Sequence, residues 1–364
     1  MSSFRVIDTG LRRARANIAF DQAIIEAHKQ GAIPDTIRFL RFPRCALIGR
    51  HQALSQEVKL DWCHANGLEI ARRITGGGAL FMGPGLLGWE LVFSRATLGI
   101  TNMADLARRI CEAAALGLAT LGLDARFRPR NDIEIGGRKV SGTGGFFDGD
   151  TLFYQGTLIV DFDPQQMVAA LNVPAEKLAK RALDSAAQRV VTLKELLGTR
   201  TPAMSAIAEA LVGGFAAGLG IRPQWGAPTA REEALATEIH DREIGTDAFV
   251  ALIDPPLSGP DLVSATRMGP GGTVKASIRL EDNGTRVREV LITGDFFVTP
   301  PRVIFDLEAS LRGLAVGEAP AAVDRFFAGA EVGLLTIAPA DFKAVVQEAL
   351  LQARSPQGGV YSGQ

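Results

Sequence analysis

Apolar positions along this chain change period several times, and each change marks an element. Residues 14–30, ARANIAFDQAIIEAHKQ, put Ile18, Ile25 and neighbouring alanines on one side of a helix that Gly31 stops. His28 reads as a surface residue near that helix end. TIRFLRF (36–42) alternates like a strand, Pro43 breaks it, and CALIGR (45–50) reads as a buried strand. A short helix is expected from Ser55 through Trp62, ending before Gly67. LEIARR (68–73), ALFM (79–82) and GWELVFS (88–94) read as strands around a glycine loop and a GPG turn. Thr101 is expected to cap an alanine-rich helix from Asn102 to about Leu121. In 133–140, IEI-GG-RKV, the pair Gly136-Gly137 suits a two-residue hairpin turn, which requires positive φ.

Helical periods follow from Phe162 to Leu171, from Ala175 to Arg181 and from Pro202 to Gly218. A more polar stretch begins at residue 224, and its turn-rich start predicts a boundary within 222–232. The expected division is 1–225, 226–354 and a flexible tail at 355–364. Within the second part, TVKASIRLEDNGTRVREVLITGDFF (273–297) reads as two strands joined at Asn283-Gly284, with helices at about 302–313, 320–328 and 339–352.

Length supports two domains, because 364 residues exceed the size at which one core keeps growing. Charge is nearly balanced, 39 basic residues against 40 acidic, which argues against a protein-wide nucleic-acid surface but leaves room for local basic clusters. No apolar run reaches membrane-spanning length, and Met1 to Gly10 lacks the pattern of a signal peptide, so a cytoplasmic protein with no membrane partner is expected. Cys45, Cys63 and Cys111 are odd in number and widely spaced, a poor basis for a disulfide framework or a cysteine zinc site. Cys63 and His64 are neighbours on a helix and point in different directions, which disfavours a catalytic pair.

Two stretches carry candidate chemistry. In ARRITGGGALF (71–81), consecutive glycines let successive backbone N–H groups approach an anion, and two arginines precede them. Arg72 and Arg73 alternate along a strand, so one of them should face the loop. In the second stretch, 131–160, alternation sends Arg138 and Lys139 to opposite faces, placing one cation inward. Arg126, Arg128 and Arg130 precede it, readable either as a solvated strand edge or as contacts for an anionic substrate or partner.

Together the stretches resemble the lipoate-protein ligase family, with its RRxxGGGAxF loop and its later ND…RKxSG…HGTLL run. Arg72, Arg73, Gly76, Gly77, Gly78, Ala79 and Phe81 match the first pattern. Asn131, Asp132, Arg138, Lys139, Val140, Ser141 and Gly142 match the second, and Gly156, Thr157 and Leu158 fit its end. The implied fold is α+β, a catalytic domain of the biotin- and lipoate-ligase type with mixed sheets flanked by helices, followed by a smaller α+β accessory domain. The implied reaction joins lipoate or octanoate to AMP from ATP and passes the acyl group to a carrier lysine. Lys139 would be catalytic, while Arg72, Arg73, Gly76, Gly77, Gly78, Asn131 and Asp132 would bind adenylate and phosphate. Asp132 would also be a candidate ligand for Mg2+. The acyl chain would be lined by Leu80, Phe81, Trp89, Leu91, Ser141, Gly142, Gly156 and Thr157.

The resemblance implies a lipoyl carrier as partner: a lipoyl domain, the glycine-cleavage H protein, or an H-like lipoate-binding protein of sulfur oxidation. Two departures stand out, Met82 and Gln155, where the family commonly has histidine. Related octanoyltransferases use a cysteine nucleophile and no ATP, yet no cysteine follows Cys111 here. A non-catalytic carrier-binding protein is a further alternative, and a biotin ligase would need a GRGRxG loop that is absent.

Overall fold

A computed structural model describes residues 2–99, 102–172, 189–254, 259, 261–269, 271–334 and 336–353. The first unit contains β1 (Ser3–Leu11), β2 (Thr36–Arg41), β3 (Cys45–Ile48), β4 (Glu69–Arg72), β5 (Leu80–Met82) and β6 (Leu86–Ser94). It continues with β7 (Ala125–Arg128), β8 (Asp132–Ile135), β9 (Arg138–Asp148), β10 (Thr151–Ile159) and β11 (Arg222–Trp225). Eight of these form a mixed sheet in the order β11-β1-β2-β6-β10-β9-β8-β7, and β4-β3-β5 form a smaller one. The architecture is α+β, as expected.

Helices Met103–Ala119 and Met204–Leu219 cover one face of the large sheet and bury Leu106, Ile110, Leu211 and Phe215 there. They approach closely because Gly117 and Gly214 lack side chains: a Cβ on either would lie within 2.4 Å of the facing backbone. Asn102 caps the first helix by accepting from the Asp105 N–H, a role expected of Thr101, which lies outside the described residues. Helix Ala14–Lys29 packs its Phe20, Ile24 and Ile25 on the other face. His28 at its end is no bare surface residue: its ring nitrogens sit 2.8 Å from Thr151 Oγ1 and 2.9 Å from the Asp35 carboxylate. The helix expected from Ser55 is instead two short ones, Leu54–Glu57 and Leu60–Ala65.

The expected boundary at 225/226 needs correction. Helix Ala230–Ile239, with a Thr229–Glu232 capping box, packs on helix Ala14–Lys29, and Ala236, Ile239, Ile244 and Phe249 belong to that same core. Arg5 pairs with buried Glu232 from β1. The first unit therefore extends to Asp254, and its periodicity was hidden because a polar outer face covers a helix that buries only a narrow stripe.

The second unit has its own core around Ile278, Ile292, Phe296, Leu307 and Phe342. Its strands are β12 (Leu262–Gly269), β13 (Gly272–Glu281) and β14 (Arg286–Gly294), paired in that order, plus the short pair β15 (Val298–Thr299) and β16 (Gly333–Leu334). Helices Val303–Leu311, Ala319–Gly329 and Pro339–Ala353 follow the expected positions. The β13–β14 turn carries positive φ at Asp282, Asn283 and Gly284, one residue more than the expected Asn-Gly pair. The helix expected at 175–181 and the tail at 355–364 lie outside the described residues. Among the described residues no single helix is long and apolar enough to cross a membrane.

Candidate active site

The glycine loop, the inner strands of the large sheet and the second unit enclose a cavity of about 420 Å³. Gly77, Gly78, Leu80 and Phe81 form one wall, Lys139, Gly142, Thr143 and Gly144 of β9 another. Gly156 and Thr157 of β10 form the floor, and Asp295 and Phe297 close it from the second unit. A larger groove of about 950 Å³ lies elsewhere, and its arginines are committed to ion pairs: Arg12 to Glu233, Arg13 to Glu69 and Arg15 to Asp247. It shares no residue with the glycine loop.

Lys139 is where alternation puts it. Its Nζ lies 2.7 Å from Asp132 Oδ1, while Arg138 points away to Glu195 at 2.7 Å. The lysine lies across Gly142, where an added Cβ would come within 2.5 Å of Nζ. The hairpin that delivers it turns on Gly136 and Gly137, at φ +58° and +78°. Asn131 lines the cavity as well; its side-chain amide donates to the Thr143 carbonyl, and its own carbonyl accepts from Thr143 N and Oγ1 at 2.9 and 2.8 Å. It fixes the β7–β8 turn against β9.

The arginine doublet splits. Arg73 lines the cavity and braces the loop from within, its guanidinium donating to the carbonyls of Gly76 at 3.0 Å, Gly78 at 2.9 Å and Leu47 at 3.2 Å. Burial lowers its pKa to about 10. Arg72 is fully buried and away from the cavity, donating to the carbonyls of Gly49, Arg50, Gln52, Phe249, Val250 and Ile253. Its expected phosphate role is corrected to that of a strut between β4 and the end of the first unit.

The glycines meet the second unit. Gly77 N–H donates to the Phe296 carbonyl at 3.1 Å, and a Cβ on Gly76 would lie 2.0 Å from that oxygen. The Phe297 ring sits between Gly77 and Gly144, 2.7 and 2.1 Å from where their Cβ atoms would be. Residues 294–297, GDFF, thus pack into the glycine loop, a contact that joins positions far apart in sequence.

Three more expectations on the acyl pocket are corrected. Trp89 is fully buried in the core on the other face of the sheet, 5.4 Å from Phe215, and its indole fills the space that a side chain at Gly156 would need. Leu91 belongs to that core too. Ser141 is fully buried outside the cavity, its Oγ without a partner among the described residues. Met82, singled out as a departure from the family pattern, lines the cavity, while sequence reasoning missed the apolar lining by Ile159, Phe162, Met167 and Val190. Gln155 lines the cavity and donates to Thr75 Oγ1 at 2.7 Å. Behind it, Arg38 holds both Asp21 and Glu90, and burial raises both carboxyls, Glu90 well above the ordinary range.

Both oxygens of Asp132, the expected magnesium ligand, are paired with cations of the chain in this arrangement: Oδ1 faces Lys139 and Oδ2 faces Arg128 at 2.6 Å. No cluster of three or more His, Cys, Asp or Glu able to hold a metal exists among the described residues. All three cysteines are buried, and burial pushes their thiols up, Cys111 to about 11.

Residues 13–216 match the lipoyl protein ligase A/B catalytic domain, and the chain belongs to that family, whose enzymes include lipoate-protein ligases and octanoyltransferases. Lipoate-protein ligase A subunit 1 of Thermoplasma acidophilum is 32% identical over 245 residues, covering 65% of this chain and 91% of the relative. Octanoyltransferase LipM of Kyrpidia tusciae is 28% identical over 263 residues, 66% of this chain and 95% of the relative. Among solved structures, a bi-partite lipoate protein ligase studied with its E2 lipoyl domain from Thermoplasma acidophilum superposes with a TM-score of 0.61 at 27% identity, over 71% of this chain and 99% of that one. A lipoate-protein ligase A bound with ATP gives 0.59 at 28% identity, over 69% of this chain and 99% of that one.

Proposed function

We propose that the protein is an ATP-dependent lipoate-protein ligase. The observation that carries this reading is a single cavity holding Lys139 and the glycine loop beside an apolar wall, with no accessible thiol near it. A free carboxylate is a poor acyl donor. Its oxygen attacks the α-phosphorus of ATP, the bond to the β-phosphate breaks, and pyrophosphate leaves. The amine of a carrier lysine then attacks the acyl carbonyl, AMP leaves, and the amine loses its proton as the amide forms.

Lys139, resting on Asp132, exchanges that partner for the substrate carboxylate and α-phosphate oxygens, where it neutralises charge as it shifts in the transition state. Gly142 provides the room for that movement. Gly77 and Gly78 supply N–H groups to the phosphate, and Arg73 holds the loop in shape. Leu80, Phe81 and Thr157 contact the acyl chain. Magnesium arrives with ATP as part of the substrate. The ATP-bound relative supports nucleotide binding in this family, and the relative studied with an E2 lipoyl domain supports a lipoyl carrier as acceptor. The carrier is a lipoyl domain, an H protein or an H-like lipoate-binding protein, met in the cytoplasm.

Lipoate-dependent exchange of labelled pyrophosphate into ATP tests the reading, and its absence in a protein that still transfers octanoyl groups between carriers would refute it. The octanoyltransferase relative favours a second reading. That chemistry needs a reactive thiolate, whereas burial holds Cys45, Cys63 and Cys111 as thiols. A variant lacking all three cysteines therefore keeps ATP-dependent transfer, measured per folded protein.

A further inference from the structure

Five charged side chains line the cavity: Arg73, Arg130, Asp132, Lys139 and Asp295. Four are committed within the fold. Arg73 holds two loop carbonyls and that of Leu47 in β3, Lys139 and Asp132 hold each other, and Asp295 accepts the Thr273 N–H. Arg130 alone has neither an ion pair nor a hydrogen bond to any partner among the described residues. Its neighbours in the basic run differ: Arg126 pairs with Asp124, and Arg128 with Asp132 and Glu134.

The backbone that carries Arg130 is nonetheless fixed. It lies in the turn between β7 and β8, next to Asn131, which three hydrogen bonds clamp to Thr143. Two residues on, Asp132 holds Lys139. The half-buried Arg130 thus lines the same cavity as the lysine, from a turn held by hydrogen bonds, with no partner for its side chain among the described residues. A side chain kept in that state is suited to a ligand of opposite charge.

We infer that Arg130 binds the β- and γ-phosphates of ATP and the pyrophosphate that leaves. The inference rests on the ligase reading of this cavity. With the α-phosphate at Lys139, the rest of the triphosphate extends toward the β7–β8 turn, and the planar guanidinium meets two of its oxygens at once. When the bond between the α-phosphorus and the bridging oxygen breaks, the electron pair stays on that oxygen. Arg130 stabilises the charge growing on the departing pyrophosphate.

Full-length wild type, Arg130→Ala and Arg130→Lys are compared in lipoate-dependent pyrophosphate exchange, with KM determined for ATP and for pyrophosphate. Binding of lipoyl-adenylate, which has no β- or γ-phosphate, is measured by calorimetry. Arg130→Ala is expected to lower kcat/KM for ATP by about 10²-fold and to weaken pyrophosphate use in parallel, while lipoyl-adenylate binds as in wild type. Arg130→Lys recovers part of the loss, since it keeps the charge without the fork. Normal constants for ATP and pyrophosphate in Arg130→Ala overturn the assignment, as does an equal loss of lipoyl-adenylate binding. A wild type without any exchange overturns the ligase reading and this inference with it, an outcome distinct from a normal Arg130→Ala.

Discussion

Replacing Phe297 by alanine tests whether the docked second unit and the nucleotide compete for one site. Gly77 N–H is bound to the Phe296 carbonyl, so it cannot donate to a phosphate while residues 294–297 are in place. The Phe297 ring fits between Gly77 and Gly144, both lacking the Cβ that would exclude it. Phe297 is half-buried and lies outside the second unit's own core, where Phe296 belongs. Removing its ring therefore loosens docking without unfolding the unit. Half the burial value of a phenylalanine is about 0.8–1.5 kcal/mol, which shifts the ratio of docked to undocked forms by roughly 4- to 13-fold. If ATP enters only the undocked form, its apparent KM falls by up to that factor. The adenylate should then lose protection from water, and free AMP should appear faster when no carrier is present. Pyrophosphate exchange gives the first quantity and carrier-free AMP release the second. Unchanged values for both, in a variant with the wild-type melting temperature, would refute the competition.

Four further outcomes are expected. Lys139→Ala, which removes a partly exposed side chain, leaves the melting temperature near wild type and slows pyrophosphate exchange by about 10²- to 10³-fold; near-normal exchange would remove the lysine from the mechanism. Arg72→Ala takes a donor from six carbonyls, of which those of Gly49, Phe249 and Ile253 keep a backbone N–H partner, and costs about 3 kcal/mol of stability, so it is read by thermal unfolding, whereas a folded variant with only a raised KM for ATP would restore its phosphate role. Glu308, buried and accepting from Ile292 N–H, has its carboxyl raised from 4.5 to about 7, so the folded state holds its proton more tightly and stability declines as pH rises through that window. Glu308→Gln should abolish a loss on the order of 3 kcal/mol, and equal pH dependence in wild type and variant would show that the carboxyl is not protonated in the fold. Truncation after Asp254 should yield a soluble first unit, while truncation after Gly226 exposes the core that Ala236, Ile239 and Phe249 fill and should aggregate; the reverse result would reinstate the earlier boundary.

Much of the site was legible because its signals are local. The Gly136-Gly137 turn needs positive φ, which two glycines provide, and period-two alternation then assigns Lys139 and Arg138 to opposite faces. Alternation also separates Arg72 from Arg73, yet it cannot say which faces a ligand. The answer depends on partners 177 to 181 residues away, the carbonyls of Phe249, Val250 and Ile253. Trp89 fails for a related reason: its strand is buried on both faces, so no alternation of polar and apolar positions marks the side that faces the cavity.

The same long-range contacts explain why the residues by which the second unit meets the site could not be read locally. GDFF reads locally as the end of a hairpin, and only the fold brings its Phe296 carbonyl to Gly77. Glycines in the RRxxGGGAxF pattern are explained at first sight by phosphate, but Gly76 and Gly77 are equally required by the backbone and ring of residues 296–297. One loop thus meets a domain's steric demand in addition to the ligand role proposed for it. Any side chain that weakened docking there would also obstruct the ligand, so substitutions in the loop cannot separate the two roles. Substitutions at Phe297 can, because that residue belongs to the domain contact and not to the anion loop.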